Sequence, residues 1–579
     1  MAAYLTTIRA SHITRPLKLT RPFLHRPHVK TKSVIPRHSS TMARTYESAL
    51  AHLDLIQSNQ AITSLFSPRP STTTKLTPQE LNAQAIPEML SWLHRANLNQ
   101  ATLSQCLRCI HVSGTKGKGS VCAYLTSILT HPTAAPIAGR VGTYTSPHLL
   151  SVRERIQIDG APLSPTQFTT YFFEVWDAFT AAALRSAAAI ITSPEGGELT
   201  VQERERQKLE AEGPASKPFY FRFLTILALH AFLRAGVRSA VVECGIGGEF
   251  DSTNVLPAEA VTASVITQLG IDHVGMLGAT LPEIAWHKAG VCKEGRKCFT
   301  RRLEGGSDGE EKEEAMRVLR TRAAEKGAML VEVEDREVQA WGGVETEGGL
   351  EGGFQRYNQA LALRAASEHL RMLSGGVDEQ EESITLTALG ERFADDLRAA
   401  RLRGRCETRV DGDITWLIDG AHTAESMQEV AKWFAGKSEL FINDDGNNNT
   451  KVVLLFNQQE RDVEKLLRTL LAGIEKTREK AMAATKDCVF DSAIFTRNEL
   501  HPRTTDQSER DLAVQKMAAD AMRAVSPQTE ISITDNVGEA VEKIKGMARG
   551  GGVKVAILAT GSLHLVGAVL RTLEPESLY

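Results

Sequence analysis

Paired cysteines, net charge and long apolar runs are all scarce in this sequence, and each scarcity removes a class of function. The 579 residues include eight cysteines with no recurring spacing. The single C-x-x-C, Cys106 and Cys109, has no second pair, so neither a disulfide framework nor a zinc site is indicated. Lys and Arg number 67 against 70 Asp and Glu, a formal charge of -3. That balance argues against a general nucleic-acid binder, whose surface carries a basic excess. The charge-free stretch 119–139 is broken by Thr130-His131-Pro132, and no other run is long and clean enough to span a bilayer. What remains is 42% hydrophobic and 24% charged, an ordinary soluble composition. The chain is too long for one core, so two or more domains are expected.

Acidic residues are missing from the first 46 positions, which hold nine Lys and Arg between Arg9 and Arg44 and many Ser and Thr. This profile predicts a mitochondrial transit peptide over residues 1–45. Mixed sequence begins with MARTYESAL at Met42, so a second start giving a cytoplasmic form is also expected.

From residue 46, short β-branched runs alternate with longer amphipathic stretches, the rhythm of an α/β fold. CIHVSG (109–114) predicts a strand entering a glycine loop, and SVCAYLTSILT (120–130) the helix after it. FRFLTILALHAFLRAG (221–236) has helical spacing and stops at a glycine. SAVVECGIGG (239–248) and VTASVITQLGIDH (261–273) each open as a buried strand and close on small or polar residues. A second such rhythm follows residue 400, at TWLIDGAH (415–422), KVVLLFN (451–457), CVFDSAIFT (488–496) and VKVAILATGS (553–562). Open parallel sheets place ligands at such strand ends. Residues 46–400 and 401–579 are therefore expected to form an N-terminal and a smaller C-terminal α/β domain. Segments 195–218, 302–353 and 444–450, charged, glycine-rich or polar, read as surface excursions.

HVSGTKGKGSV (111–121) departs twice from the usual phosphate loop G-x-x-x-x-G-K-[ST]. Val112 stands in place of the first glycine, and Gly119 follows Lys118, with the hydroxyl of Ser120 one residue late. Strand, GTKGKGS and helix still make a turn whose backbone N–H groups and helix N-terminus attract phosphate oxygens. Lys118 adds a charge suited to the β- and γ-phosphates. Magnesium there needs an acid from a neighbouring strand. Glu243, charged directly after SAVV and followed by CGIGG, is the candidate, and His273 closes the next strand region in the parallel position.

HVSGTKGKGS, YTSPHLLSVRERIQIDG, ECGIGGEFDSTNV, GIDHVGMLGATLPEIAWHKAGV, LIDGAH and ATGSLHLVGAVL occur in this order. Together they resemble the folylpolyglutamate synthases, ATP-dependent amide ligases grouped with the Mur ligases. PFYFRFLTILALHAF (218–232), and GTKG in place of GTNG, are similar to the eukaryotic branch. The resemblance runs from residue 46 to the C-terminus outside the excursions, and it implies that the variant loop is the family's normal one. The implied fold is α/β, an N-terminal P-loop ATPase-type domain with a mostly parallel sheet plus a smaller C-terminal Rossmann-like domain.

The resemblance also implies roles. Gly114, Thr115, Lys116, Gly117, Lys118, Gly119 and Ser120 would wrap the triphosphate of ATP, with Lys118 and Ser120 holding it. Ser146, on a mobile loop, Glu243 and His273 would ligate Mg²⁺. Lys288 of HKAG, carried as a carbamate, would support a second Mg²⁺, and a monovalent cation is a further expectation. Asn358 in FQRYNQALAL, Arg405 in RGRCE and Asp419 of DGAH would contact the nucleotide from outside the loop. His422 of DGAH, Arg155 and Ser562 match positions around the incoming glutamate. Asp251 of DSTN matches a position that reads the pterin in some bacterial relatives. Lys118, Lys288 and His422 are the implied catalytic residues.

The implied chemistry is coherent. ATP phosphorylates the γ-carboxylate of a reduced folate, and the amine of L-glutamate displaces phosphate from the acyl phosphate as the amide forms. ATP, L-glutamate and reduced folates are the implied partners of a monomer, mitochondrial in matrix or peripherally at the inner membrane, and cytoplasmic. Dihydrofolate synthase, which takes dihydropteroate, is the nearest rival. A nucleotide-gated binding protein is a second, against which the joint presence of Glu243, His273, Lys288, Asp419 and His422 speaks.

Overall fold

The computed structural model describes residues 43–57, 78–191, 200–305, 309–346, 349–375, 384–437, 450–459, 462–480, 489–504, 508–549 and 553–575. The described residues from Arg44 onward belong to one compact unit. The basic segment up to Met42 and most of the polar turn 444–450 lie outside the described residues.

Eight strands make the first sheet: β1 Arg108–Ser113, β2 Val141–Tyr144, β3 Ile156–Ile158, β4 Ala161–Pro162, β5 Ser239–Glu243, β6 Val261–Ile266, β7 Lys297–Arg301 and β8 Met329–Val333. Their order is β4-β3-β2-β5-β1-β6-β7-β8. From β2 to β8 all neighbours are parallel, and antiparallel β3 and β4 finish one edge. Alternate side chains of β1 enter two cores. Cys109 faces Phe223 and Leu227 of helix Tyr220–Arg234. Ile110 and Val112 face Val121 and Leu125 of helix Lys118–Thr130 and Leu361 of helix Gln355–Leu373. β1, β5 and β6 are buried along nearly their whole length, polar positions included, as expected of parallel strands covered on both faces.

The second sheet holds β9 Glu407–Asp411, β10 Ile414–Ile418, β11 Thr450–Phe456, β12 Ser492–Phe495, β13 Glu530–Ile533 and β14 Lys554–Thr560. Its order is β13-β12-β11-β14-β10-β9, parallel except for β9. β14 returns between β10 and β11, so the carboxyl ends of these three strands flank the crevice where an open sheet takes its ligand. The edge strands β9 and β13 are short and largely exposed or half-exposed, and the sequence reading has no counterpart for them.

One of the expected excursions is corrected. Within 302–353, helix Gly309–Glu325 buries Ala315, Met316, Leu319 and Ala323, and β8 extends the first sheet beside β7. Four apolar positions at helical spacing do this packing, in a segment whose many glutamates and arginines mask them. In 195–218, residues 201–212 form a largely exposed helix whose end is anchored. The buried Lys217 ammonium donates to Ala211 O at 2.8 Å, Ser216 Oγ at 2.7 Å and Thr180 Oγ1 at 3.0 Å. Among the described residues, no helix is long and apolar enough to cross a membrane.

Candidate active site

Strands β5, β1 and β6 are adjacent and parallel, so the residues that follow them meet at one edge. The glycine loop follows β1, Glu243 ends β5, and Thr267 follows β6. Thr267 N–H donates to Ser113 O at 2.8 Å, and its hydroxyl donates to Lys116 O at 2.7 Å. Thr115 and Lys116 N–H both donate to Gln268 O, at 3.0 and 3.1 Å. The loop is thus laid on the segment after β6. A Cβ at Gly114, φ +142, would stand 1.8 Å from Thr267 Oγ1, and one at Gly117, φ +87, 2.3 Å from Asn358 Oδ1. Backbone angle and space both require glycine there. Gly117 is the N-cap of helix Lys118–Thr130, and no side chain caps that end. The first-turn N–H groups of this helix, which begins at Lys118 and includes Gly119 and the buried Ser120, can therefore face an anion.

Two lysines converge on one loop oxygen. Lys118 Nζ donates to Gly114 O at 3.1 Å, and buried Lys288 donates to the same carbonyl at 2.8 Å. Burial, then repulsion from Lys118, depresses the Lys288 amine to about 7. Glu243 is buried, and its Oε2 accepts a bond from Ser146 N–H at 2.9 Å. Burial holds its carboxyl above the ordinary range against the pull of Lys118, the Ser146 N–H, Arg405 and Arg155. His273 is exposed, at φ +51, with Asp272, Lys118, Lys288 and Lys116 as charged neighbours. Lys116 pairs with Asp272 at 3.3 Å.

Magnesium takes oxygen ligands, commonly one or two carboxylates plus phosphate oxygens. A carboxylate at a strand end beside a triphosphate-type loop, fixed through one oxygen by Ser146 N–H, fits that pattern. Among the described residues, no three His, Cys, Asp or Glu side chains are clustered to hold a metal unaided.

The second sheet brings its residues at the ends of β10 and β14. Asp419 accepts from Cys406 and Ala421 N–H, each at 2.8 Å, and burial raises its carboxyl while Arg405 opposes the shift. Gly420 packs on Arg405, where a Cβ would stand 2.9 Å from Nη1. Arg405 acts on both Asp419 and Glu243, so the two strand ends share one field. His422 Nδ1 lies 2.9 Å from Gly420 O. A carbonyl only accepts, so Nδ1 carries a proton. Gly561 N–H donates to Ala421 O at 3.1 Å, which brings Ser562 beside this turn. Ser562 Oγ caps helix Leu563–Leu573, accepting from Leu565 N–H at 3.1 Å.

Three residues remain. Asn358 bonds Gln355 Oε1 through Nδ2 at 2.8 Å and turns Oδ1 toward Gly117. Arg155 is buried, donates from Nε to His148 Nδ1 at 2.8 Å, and lies 5.5 Å from the Tyr220 ring centre. Asp251 spends its carboxylate on its own loop, accepting from Thr253 N–H and Oγ1 at 2.9 and 2.6 Å and from Ile246 N–H at 2.9 Å. The structure therefore joins the glycine loop to Lys288 and Asn358, Ser146 to Glu243, and Arg405 to Asp419. It does not present Asp251 outward. The sequence reading missed Thr267 and Gln268, the floor of the loop, whose one signal is a polar pair directly after the VTASVI strand.

Residues 403–485 match the sequence model of the family "Dihydrofolate synthetase, C-terminal domain". The chain is 33% identical over 545 residues to a folylpolyglutamate synthase of Saccharomyces cerevisiae, covering 91% of this chain and 87% of that relative. Its fold is similar to a Mycobacterium tuberculosis folylpolyglutamate synthase solved with ADP and AMPPCP, with TM-score 0.57, 23% identity, and coverage of 91% of this chain and 98% of that one. It is also similar to a bifunctional folylpolyglutamate synthase/dihydrofolate synthase of Yersinia pestis, with TM-score 0.51, 20% identity, and coverage of 90% and 99%.

Proposed function

Given that this chain belongs to the folylpolyglutamate synthase family, we propose that it joins L-glutamate to the γ-carboxylate of reduced folates. ATP is the phosphoryl donor, and ADP and phosphate are released. The observation that carries this reading is the uncapped loop helix with Lys118 and Lys288 on Gly114 O, set beside Glu243 at the end of β5.

In this reading the loop N–H groups and Lys118 bind the triphosphate and stabilise charge on the transferred phosphoryl group. Glu243, with Ser146 and His273, would hold Mg²⁺, which when bound neutralises phosphate charge. Lys288, half neutral near pH 7, adds CO₂ through its nitrogen, releases a proton and becomes a carbamate anion able to hold a second Mg²⁺. Asn358, Arg405 and Asp419 position the nucleotide. The acyl phosphate forms between the two sheets, where water is kept away. His422, its ring oriented by Nδ1–H on Gly420 O, stands on the glutamate side and serves as the base for the proton leaving the glutamate amine. Arg155 and Ser562 orient that glutamate, and Asp251 acts by bracing its loop instead of touching pterin.

We assign residues 46–400 and 401–579 as the two domains, residues 1–45 as a mitochondrial transit peptide, and a start at Met42 as the source of a cytoplasmic form. Fusing residues 1–46 to a fluorescent reporter tests the targeting, and a diffuse cytosolic signal would contradict it. Dihydrofolate synthesis is kept as a second reading by one observation, the family match over 403–485. Labelled L-glutamate offered with tetrahydrofolate or with dihydropteroate separates them. Incorporation into tetrahydrofolate is expected, and incorporation into dihydropteroate alone would reverse the assignment.

A further inference from the structure

The loop that carries Ser146 is held from the opposite sheet. Arg571, on helix Leu563–Leu573, donates from Nη2 to Leu150 O at 3.0 Å and Leu149 O at 3.3 Å. One turn earlier Gly567 lets the helix backbone close on the loop, since a Cβ there would stand 2.7 Å from Leu149 O. The side chains of Leu149 and Leu150 pack into the core of the second sheet with Val566 and Leu570. Within the loop, Glu154 accepts Leu150 and Ser151 N–H at Oε1, at 2.9 and 2.6 Å, and Leu149 N–H at Oε2, at 2.9 Å. The Leu149 and Leu150 carbonyls are thus taken by Arg571, that of Ser151 by Glu154 N–H at 3.0 Å, and the N–H groups by the Glu154 carboxylate, which makes a stiff peg of residues 149–151. One end of the peg continues to Ser146, bonded to Glu243. Ser562, the N-cap of the helix under it, lies beside the His422 turn.

We propose that Arg571 and Gly567 form a seat that positions the Ser146 loop, so that one helix sets the spacing between the Ser562 and His422 side and the Ser146–Glu243 pair. Arg571 is a positioning residue, since it touches the loop and not the reacting atoms. Its kinetic consequence rests on the proposed function, whereas its structural consequence does not. A misplacement of about 1 Å at a distance from the chemistry can cost on the order of 10² in rate, and a loosened peg would produce a shift of that kind.

The test uses the full chain and hydrogen–deuterium exchange followed by mass spectrometry, with steady-state kinetics on the same preparations. Arg571→Met should speed exchange across residues 145–155 and leave the loop helix, residues 118–130, unchanged. Its kcat should fall about 10- to 100-fold, with the KM for ATP unchanged and that for L-glutamate raised. Arg571→Lys, which keeps a donor, should recover part of the loss. Gly567→Ala, which pushes the loop away with Arg571 intact, should reproduce the exchange change. Unchanged exchange across 145–155 in both Arg571→Met and Gly567→Ala would overturn the seat, as would equal loosening of the entire second sheet. If the wild-type chain adds no glutamate, the proposed function fails, yet the exchange pattern still decides the seat.

Discussion

Substituting Gly117 by alanine tests the packing of the phosphate loop on its neighbour. The backbone sits at φ +87, a left-handed conformation that costs an L-residue about 1–2 kcal/mol. The added Cβ would lie 2.3 Å from Asn358 Oδ1, well inside contact distance, so the amide must swing away. Swinging breaks the 2.8 Å bond from Asn358 Nδ2 to Gln355 Oε1, worth about 1 kcal/mol. Together the substitution should destabilise the chain by about 2–3 kcal/mol. In an Asn358→Ala background the clash is gone and only the backbone cost remains. The double-mutant cycle should therefore show a coupling of about 1 kcal/mol. Urea unfolding of the four proteins measures it, with binding of a non-hydrolysable ATP analogue as a second readout that weakens in Gly117→Ala. Equal costs in both backgrounds would refute the proposed contact between the loop and helix Gln355–Leu373. A Gly117→Ala protein as stable as wild type would refute the left-handed cap.

Three further outcomes are expected. Lys118→Ala should keep its circular dichroism spectrum and lose about 10²–10³ in ligation rate or more, and near-normal turnover would rule out the role given to the loop. Lys288→Ala should lose most turnover, with acetate or formate restoring part of it. In the wild type, carbamate read by NMR with carbon-13-labelled CO₂ should increase as pH rises through 7, because the ammonium form gives way near there. A carbamate signal that is absent, or that falls with rising pH, would contradict the assignment. Asp396 has its carboxyl raised to about 6 by burial, with His131 at 3.2 Å opposing. A folded pKa above the unfolded one, about 3.9, means that ionisation costs stability above pH 6 and that the cost fades as pH falls toward 4. Asp396→Asn should therefore gain about 1–2 kcal/mol at pH 8 and almost nothing at pH 4, and a gain independent of pH would contradict the linkage.

The residues readable from the sequence are those that interrupt buried strands. Glu243 stands out because a charge directly after SAVV needs a reason, and the loop stands out because glycines separate a buried strand from a helix. β1, β5 and β6 follow from short β-branched segments that close on glycine or polar residues, although two-sided burial also covers their own polar positions. Partnership across the chain was not readable. Arg571 meets Leu149 from 422 residues away, and no local pattern reports such a contact. Thr267 and Gln268 serve through a hydroxyl and a backbone carbonyl, which almost any sequence could offer. Helix Gly309–Glu325 was hidden because its charged residues outweigh its four buried ones, and β8 because most of its side chains are half-exposed.

Mass spectrometry of tetrahydrofolate incubated with the full chain, ATP, Mg²⁺ and L-glutamate tests the central claim most directly. Successive products, each heavier by one glutamyl residue and matched by ADP formation, are the predicted result. ATP turnover with the folate mass unchanged would contradict it.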